Sequence, residues 1–123
     1  MRVDRIGAAA LQKLVKGDLT ANATCIVKFY SQECPMCHAL HDYYVDIAES
    51  YEDEELFFFA FNTKDTDNIE DLIKINGVPT IASFRGGPSR RVKVNILEDP
   101  EKPNGKTWYY AKDIRNFVEK ALR

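Results

Sequence analysis

The spacing of apolar residues along this chain changes several times, and each change marks an element. From residue 4 to residue 16, Ile6, Ala9, Ala10, Leu11, Leu14 and Val15 recur at helical spacing and Gly17 closes the run, which predicts an amphipathic first helix. Asp18 to Thr24 is polar and turn-rich. Cys25-Ile26-Val27-Lys28-Phe29-Tyr30 is a β-branched and aromatic run, the pattern of a strand buried on both faces. After Ser31-Gln32-Glu33 the period becomes 3.6, with Leu40, Tyr43, Tyr44, Ile47, Ala48 and Tyr51 forming one stripe of a helix from Pro35 to about Ser50. Pro35 suits the first turn, where no backbone donor is needed and φ is already helical.

Glu52 to Glu55 is an acidic break before a second buried strand, Leu56-Phe57-Phe58-Phe59-Ala60-Phe61. Asp65 to Asn68 offer caps for a short helix through Ile69, Leu72 and Ile73 that ends at Asn76-Gly77. Val78 to Phe84 reads as a strand entered through Pro79. Gly86-Gly87-Pro88 turns it into a partner over Val92 to Leu97, a likeness to an antiparallel hairpin. A polar loop, Glu98 to Lys106, leads to a last helix carrying Ile114, Phe117, Val118 and Leu122. The order predicts an α/β fold, with a central mixed sheet of about four to five strands flanked by helices on both faces. Residues 1–123 are expected to form a single domain.

Composition narrows the function classes. A formal net charge of −2 gives no general attraction to nucleic acid or anionic lipid. No apolar run approaches the roughly 20 residues of a membrane span. Met1-Arg2-Val3-Asp4-Arg5 leads only into Ala8-Ala9-Ala10-Leu11, a poor signal peptide, so an uncleaved start is expected. Three cysteines form an odd set, unlike a secreted disulfide framework. A cytoplasmic location is therefore expected, with the endoplasmic reticulum or another secretory compartment open if a leader has been removed.

Two of those cysteines, in Cys34-Pro35-Met36-Cys37, stand where the strand gives way to the helix and can close a small reversible disulfide. Together, Ile26-Val27-Lys28-Phe29-Tyr30, the CPMC tetrapeptide and Gly77-Val78-Pro79-Thr80 about forty residues on resemble the thioredoxin superfamily. The resemblance covers roughly residues 10–97 and the last helix. It implies that Pro79 is cis and lies beside the cysteines, and that the backbone at Val78 pairs with an extended substrate peptide. The residues alone say only that Val78, preceding a proline, is extended. Asn62 to Asn68 and the long hairpin with its terminal helix look more like protein disulfide isomerase domains than compact bacterial thioredoxins. CPMC matches neither group's usual tetrapeptide, and proline after the first cysteine also occurs in glutaredoxins and DsbA-like oxidases.

A thiolate attacks a disulfide, so such a site must acidify one thiol. Cys34, at the helix N-terminus, meets unpaired N–H groups and the positive end of the dipole, and is expected to be the exposed nucleophile. Cys37, one turn in, is expected to resolve the mixed disulfide, with Pro35 and Met36 supporting the pair. Three departures from the resemblance stand out. Lys28 occupies the position, six before the first cysteine, where the family carries a buried acid. Ala60 falls where thioredoxin has the lysine partnering that acid. Glu33 replaces a tryptophan and works against a thiolate at Cys34. Lys28 either tunes Cys37, as a neutral proton acceptor or a charged stabiliser, or snorkels to solvent. His38 either acts electrostatically on the thiols or is exposed and inert. Cys25 is expected to be a buried apolar side chain.

Other chemistries compete. Cys34 to His38 satisfies the C-x-x-C-H haem-attachment pattern, but the buried strands and lack of an export signal argue against it. Cys34, Cys37, His38 and His41 cannot all converge on one tetrahedral zinc without unwinding the helix. A binding module whose cleft docks a partner is the alternative of a different class. Trp108-Tyr109-Tyr110 is expected to pack under the last helix rather than mark a partner surface. Arg85, Arg90, Arg91 and Lys93 read as a solvated turn. The sequence-level expectation is a monomeric thiol–disulfide oxidoreductase without cofactor or metal. Its partners are protein disulfides or thiols and a recharging reductase or glutathione. Reduction is the expected direction, with isomerase or oxidase action as the alternative.

Overall fold

The computed structural model describes residues 3–88 and 90–123. Met1 and Arg2, part of the segment read as an uncleaved start, and Ser89 in the hairpin turn lie outside the described residues. Five strands, β1 (Val3–Arg5), β2 (Ala23–Tyr30), β3 (Leu56–Asn62), β4 (Thr80–Gly87) and β5 (Arg90–Ile96), form one sheet in the order β1-β3-β2-β4-β5. β1 and β2 run parallel to β3, whereas β4 is antiparallel to both β2 and β5. Three helices, α1 (Ala8–Lys16), α2 (Pro35–Glu49) and α3 (Ala111–Ala121), cover the sheet.

The central strand shows why its sequence is an unbroken apolar run. Thr24 to Phe29 are all buried, and successive side chains point to opposite faces. Cys25, Val27 and Phe29 enter a core with Leu11 and Leu14 of α1, Phe61 and Phe84. Ile26 enters the other, with Leu40, Tyr44 and Ile47 of α2, Phe58, and Ile114 and Val118 of α3. Lys28 shares the parity of Ile26 and so faces α2. The Tyr44 hydroxyl ties α2 to the sheet, lying 2.7 Å from the Phe59 carbonyl and 3.0 Å from that of Ile26.

Two expected elements differ. The helical pattern over residues 4–16 holds only from Ala8, because Val3–Arg5 is an edge strand paired with Phe58, Phe59 and Ala60. Long-range bonds outweigh the local period there: the Ile6 N–H donates to the Ala60 carbonyl at 2.9 Å, and the Arg5 guanidinium forks onto Asp65. The short helix expected through Ile73 shrinks to a 3₁₀ turn, Ile69–Asp71, preceded by another at Thr63–Asp65. Asn62 and Asn68 do cap these turns, accepting from the N–H groups of Lys64 and Glu70. Ile73 is the one buried side chain between Thr63 and Pro79 among the described residues, too little apolar surface to hold a longer helix. β4 begins at Thr80 rather than Val78, since Pro79 brings no N–H to the ladder.

Candidate active site

Cys34 is the N-cap of α2, its backbone extended at φ −100° and ψ 99°. Pro35 follows at the first helical position. This start leaves the early N–H groups of the helix without intrahelical partners, and one of them, on Cys37, donates to Cys34 Sγ at 3.1 Å. The two sulfurs are joined as a disulfide across a Cα–Cα distance of 5.3 Å. Cys34 is half-buried at the surface, whereas Cys37 is only 1% exposed. The pair is therefore asymmetric, with one accessible sulfur and one reached only through it.

The Val78–Pro79 peptide bond is cis. Thr80 Oγ1 donates to the Gly77 carbonyl at 2.6 Å and pins the turn that delivers it. Met36, Val78 and Pro79 line one cavity of about 230 Å³, together with Asp99 and Trp108. The CPMC turn and the cis-proline loop thus meet at one cleft, although they lie about forty residues apart in sequence. A larger cavity of about 500 Å³ sits at the other end of β2, between Glu52 to Glu55 and Arg85. It contains no cysteine and is remote from the dithiol.

Lys28 does not snorkel. It is 3% exposed, and its ammonium lies 3.0 Å from Nδ1 of His41 and 5.5 Å from the ring centres of Tyr30 and Tyr44. Burial lowers its pKa from 10.5 to about 8. His41 is exposed, and its pKa is lowered too, first by partial desolvation and then by the Lys28 charge. His41 stands one helical turn beyond Cys37, so the hydrogen-bond partner of the buried amine lies on the face of α2 that carries the resolving cysteine. Ala60 is the Cα partner of Lys28 on β3 and offers it no counter-charge.

The remaining expected site residues are turned elsewhere. Glu33 is exposed and paired with Lys64, whose hydrogen bond lowers the carboxyl pKa and offsets its charge. His38 donates from Nε2 to the Gln32 carbonyl at 2.8 Å, bracing the loop before Cys34. Cys25 is a free, buried thiol in the α1-side core, and desolvation raises its pKa to about 11, which makes it a poor nucleophile. Among the described residues, no group of three or more His, Cys, Asp or Glu side chains is placed to share a metal ion.

The sequence model of the family described as Thioredoxin matches residues 8–102. The chain belongs to the thioredoxin family. A 66-residue stretch, 54% of this chain, is 35% identical to human protein disulfide-isomerase A2 (Homo sapiens), of which it covers 12%. Thioredoxin f from spinach chloroplast superposes with a TM-score of 0.69 over 99% of this chain and 95% of that one, at 16% identity. A chain of the complex of ferredoxin:thioredoxin reductase with thioredoxin f2 gives 0.66 over 99% and 96%, at 17% identity. At such identities the structural likeness establishes the thioredoxin fold alone.

Two features of this thioredoxin-family site escaped sequence reasoning. The Lys28–His41 contact joins residues 13 apart on different elements, β2 and α2. The shared parity of Ile26 and Lys28, and the one-turn spacing of Cys37 and His41, would have pointed to it. Trp108 and Tyr109 pack with the last helix as expected, Tyr109 fully buried and Trp108 against the same core, but Trp108 also reaches the cleft. Trp108 is half-buried on the cleft, and Tyr110 is exposed at the start of α3.

Proposed function

We propose that this chain is a thiol–disulfide oxidoreductase that reduces disulfides in protein substrates. The observation that carries the reading is the asymmetric Cys34–Cys37 pair at the start of α2, whose intervening Met36 lines one cavity with cis-Pro79. In the reduced protein the Cys34 thiolate, favoured by the helix N-terminus, attacks one sulfur of the substrate disulfide and expels the other as a thiolate. Cys37 then gives up its proton and attacks Cys34 Sγ. The mixed disulfide breaks, the second substrate sulfur leaves and takes up a proton, and Cys34–Cys37 is left oxidised. Two electrons have passed to the substrate. An external dithiol, from a dedicated reductase or glutathione, returns them. No cofactor is required, because both electrons reside in the two sulfurs. The backbone at Val78 pairs with the substrate strand. The chain works as a single monomeric domain in a reducing compartment such as the cytoplasm.

Lys28 is the group we assign to the resolving proton. Its pKa of about 8 lies close to that of an ordinary thiol, so proton exchange with Cys37 is nearly balanced in either direction. His41 links the buried amine to solvent. In this role Lys28 is a tuning group that never touches substrate. Lys28→Met is expected to slow release of the mixed disulfide and shift its pH profile, while the first attack by Cys34 is spared. Unchanged profiles for both steps would refute the assignment.

The reading as a whole is tested by trapping. Cys37→Ser, offered oxidised peptide or insulin, is expected to accumulate a covalent adduct at Cys34 that dithiothreitol releases, and Cys34→Ser to form none. Adducts at Cys25 instead, or none with either variant, would refute it. The 35% identity to part of a protein disulfide isomerase favours isomerase action as the second reading, and the reduction potential separates the two.

A further inference from the structure

Trp108 has a positive φ of 68°, the one such value outside glycine among the described residues. A bulky side chain pays for that conformation in steric strain, which glycine or asparagine would largely avoid. The surrounding loop holds it there. The Asn104 N–H donates to the Trp108 carbonyl at 3.0 Å and the Trp108 N–H to the Asn104 carbonyl at 2.9 Å. The Asn104 side chain accepts from the Lys106 N–H at 2.9 Å, and the indole N–H donates to Asp99 Oδ1 at 3.0 Å. Tyr109 fills the core under α3 at 0% exposure, and the half-buried indole packs against that same core. The indole also walls the cavity that Met36, between the two cysteines, lines with Val78 and Pro79.

We infer that Trp108, held by Asp99 and Asn104, forms a specificity subsite that takes an apolar or aromatic side chain flanking the target cysteine in an extended substrate peptide. The cavity, at about 230 Å³, is below the roughly 300–1,000 Å³ of small-molecule sites, which suits one side chain rather than a free ligand. Its apolar walls are Met36, Val78, Pro79 and the indole, and Asn76, Thr80 and Asp99 line the remainder. The lining includes no lysine or arginine, so an acidic side chain finds no counter-charge there. The use of the subsite in catalysis rests on the exchange reading; the binding itself does not.

Trp108 is the chain's sole tryptophan, so its fluorescence reports the cleft directly. The probes are short synthetic peptides with serine in place of the target cysteine and Phe, Leu or Gly next to it, titrated into the oxidised protein. The Phe and Leu peptides are expected to change the emission saturably and to bind about tenfold more tightly than the Gly peptide, the discrimination one apolar side chain supports in a pocket. By calorimetry, Trp108→Ala is expected to reduce that preference to within about twofold, and Trp108→Phe to retain part of it. Asp99→Ala, which frees the indole, is expected to weaken it and serves if Trp108→Ala does not fold. Equal binding of the Phe and Gly peptides to the native protein would overturn the inference, as would a preference that persists in a folded Trp108→Ala or Asp99→Ala. Preference without any turnover of cystine peptides would leave the subsite standing and remove the exchange reading instead.

Discussion

Replacing Lys28 with methionine is expected to make the protein more stable at neutral pH, and the gain can be worked from the site. Lys28 is buried on β2, its hydrogen-bond partner is a neutral imidazole, and its strand neighbour Ala60 supplies no charge. The fall of its pKa from 10.5 to about 8 measures what the fold loses by keeping the ammonium, about 3 kcal/mol at 1.36 kcal/mol per pH unit. Below pH 8 the amine is protonated in folded and unfolded chains alike, and the cost is constant. Between about pH 8 and 10.5 the unfolded chain holds the proton and the folded one sheds it, so the Lys28 contribution to stability rises with pH. Cys25, raised to about 11, and Tyr51 and Tyr109, raised to about 12, act in the opposite sense at high pH, so the native profile alone is ambiguous. The difference between native protein and Lys28→Met isolates the lysine. Urea unfolding at pH 7 is expected to favour the variant by up to about 3 kcal/mol, and that advantage is expected to vanish by about pH 10.5. In NMR titrations, His41 is expected to protonate at higher pH once the Lys28 charge is gone. A constant difference across pH, or a variant less stable than the native protein at pH 7, would refute the reasoning.

Two further perturbations test how the scaffold holds the site. Tyr44→Phe removes a hydroxyl bonded to the carbonyls of Phe59 and Ile26, and is expected to cost about 1–3 kcal/mol, read as a lower urea midpoint at constant slope. An unchanged midpoint would mean that Tyr44 does not anchor α2 to the sheet. Gly17 ends α1 at φ 73°, and a Cβ there would stand 2.9 Å from Cβ of Val92. Gly17→Ala is therefore expected to lose at least about 1–2 kcal/mol by the same assay, and equal stability would show that the α1 terminus can rebuild.

What the sequence discloses here depends on whether the deciding contact is local. β2 is legible because burial on both faces leaves a continuous apolar run, β3 because its run is apolar throughout even though Phe57 is exposed, and α2 because its stripe, Pro35 and the cysteines agree. The dithiol and Pro79 are legible as a motif whose two parts constrain each other. β1 is not, since the same residues satisfy a helical period and only Ile6–Ala60 and Arg5–Asp65 decide against it. Lys28 is half legible: its burial follows from the run around it, but its partner His41 belongs to a different element. Trp108 is the least legible, because nothing about tryptophan announces a left-handed backbone. That conformation comes from the Asn104 bridge and the Asp99 bond, neither of which leaves a local pattern.

The central claim, that Cys34 and Cys37 exchange electrons with protein disulfides as a reductant, is tested most directly by their reduction potential. The protein would be equilibrated across glutathione or dithiothreitol buffers, its thiols trapped, and the mass of the Cys34–Cys37 peptide read. The account predicts a single reversible two-thiol transition near thioredoxin's roughly −270 mV, with Cys25 unchanged throughout. A transition near about −180 mV or higher would contradict the reductant assignment in favour of an isomerase or oxidase. No reversible transition at all would contradict thiol–disulfide exchange itself.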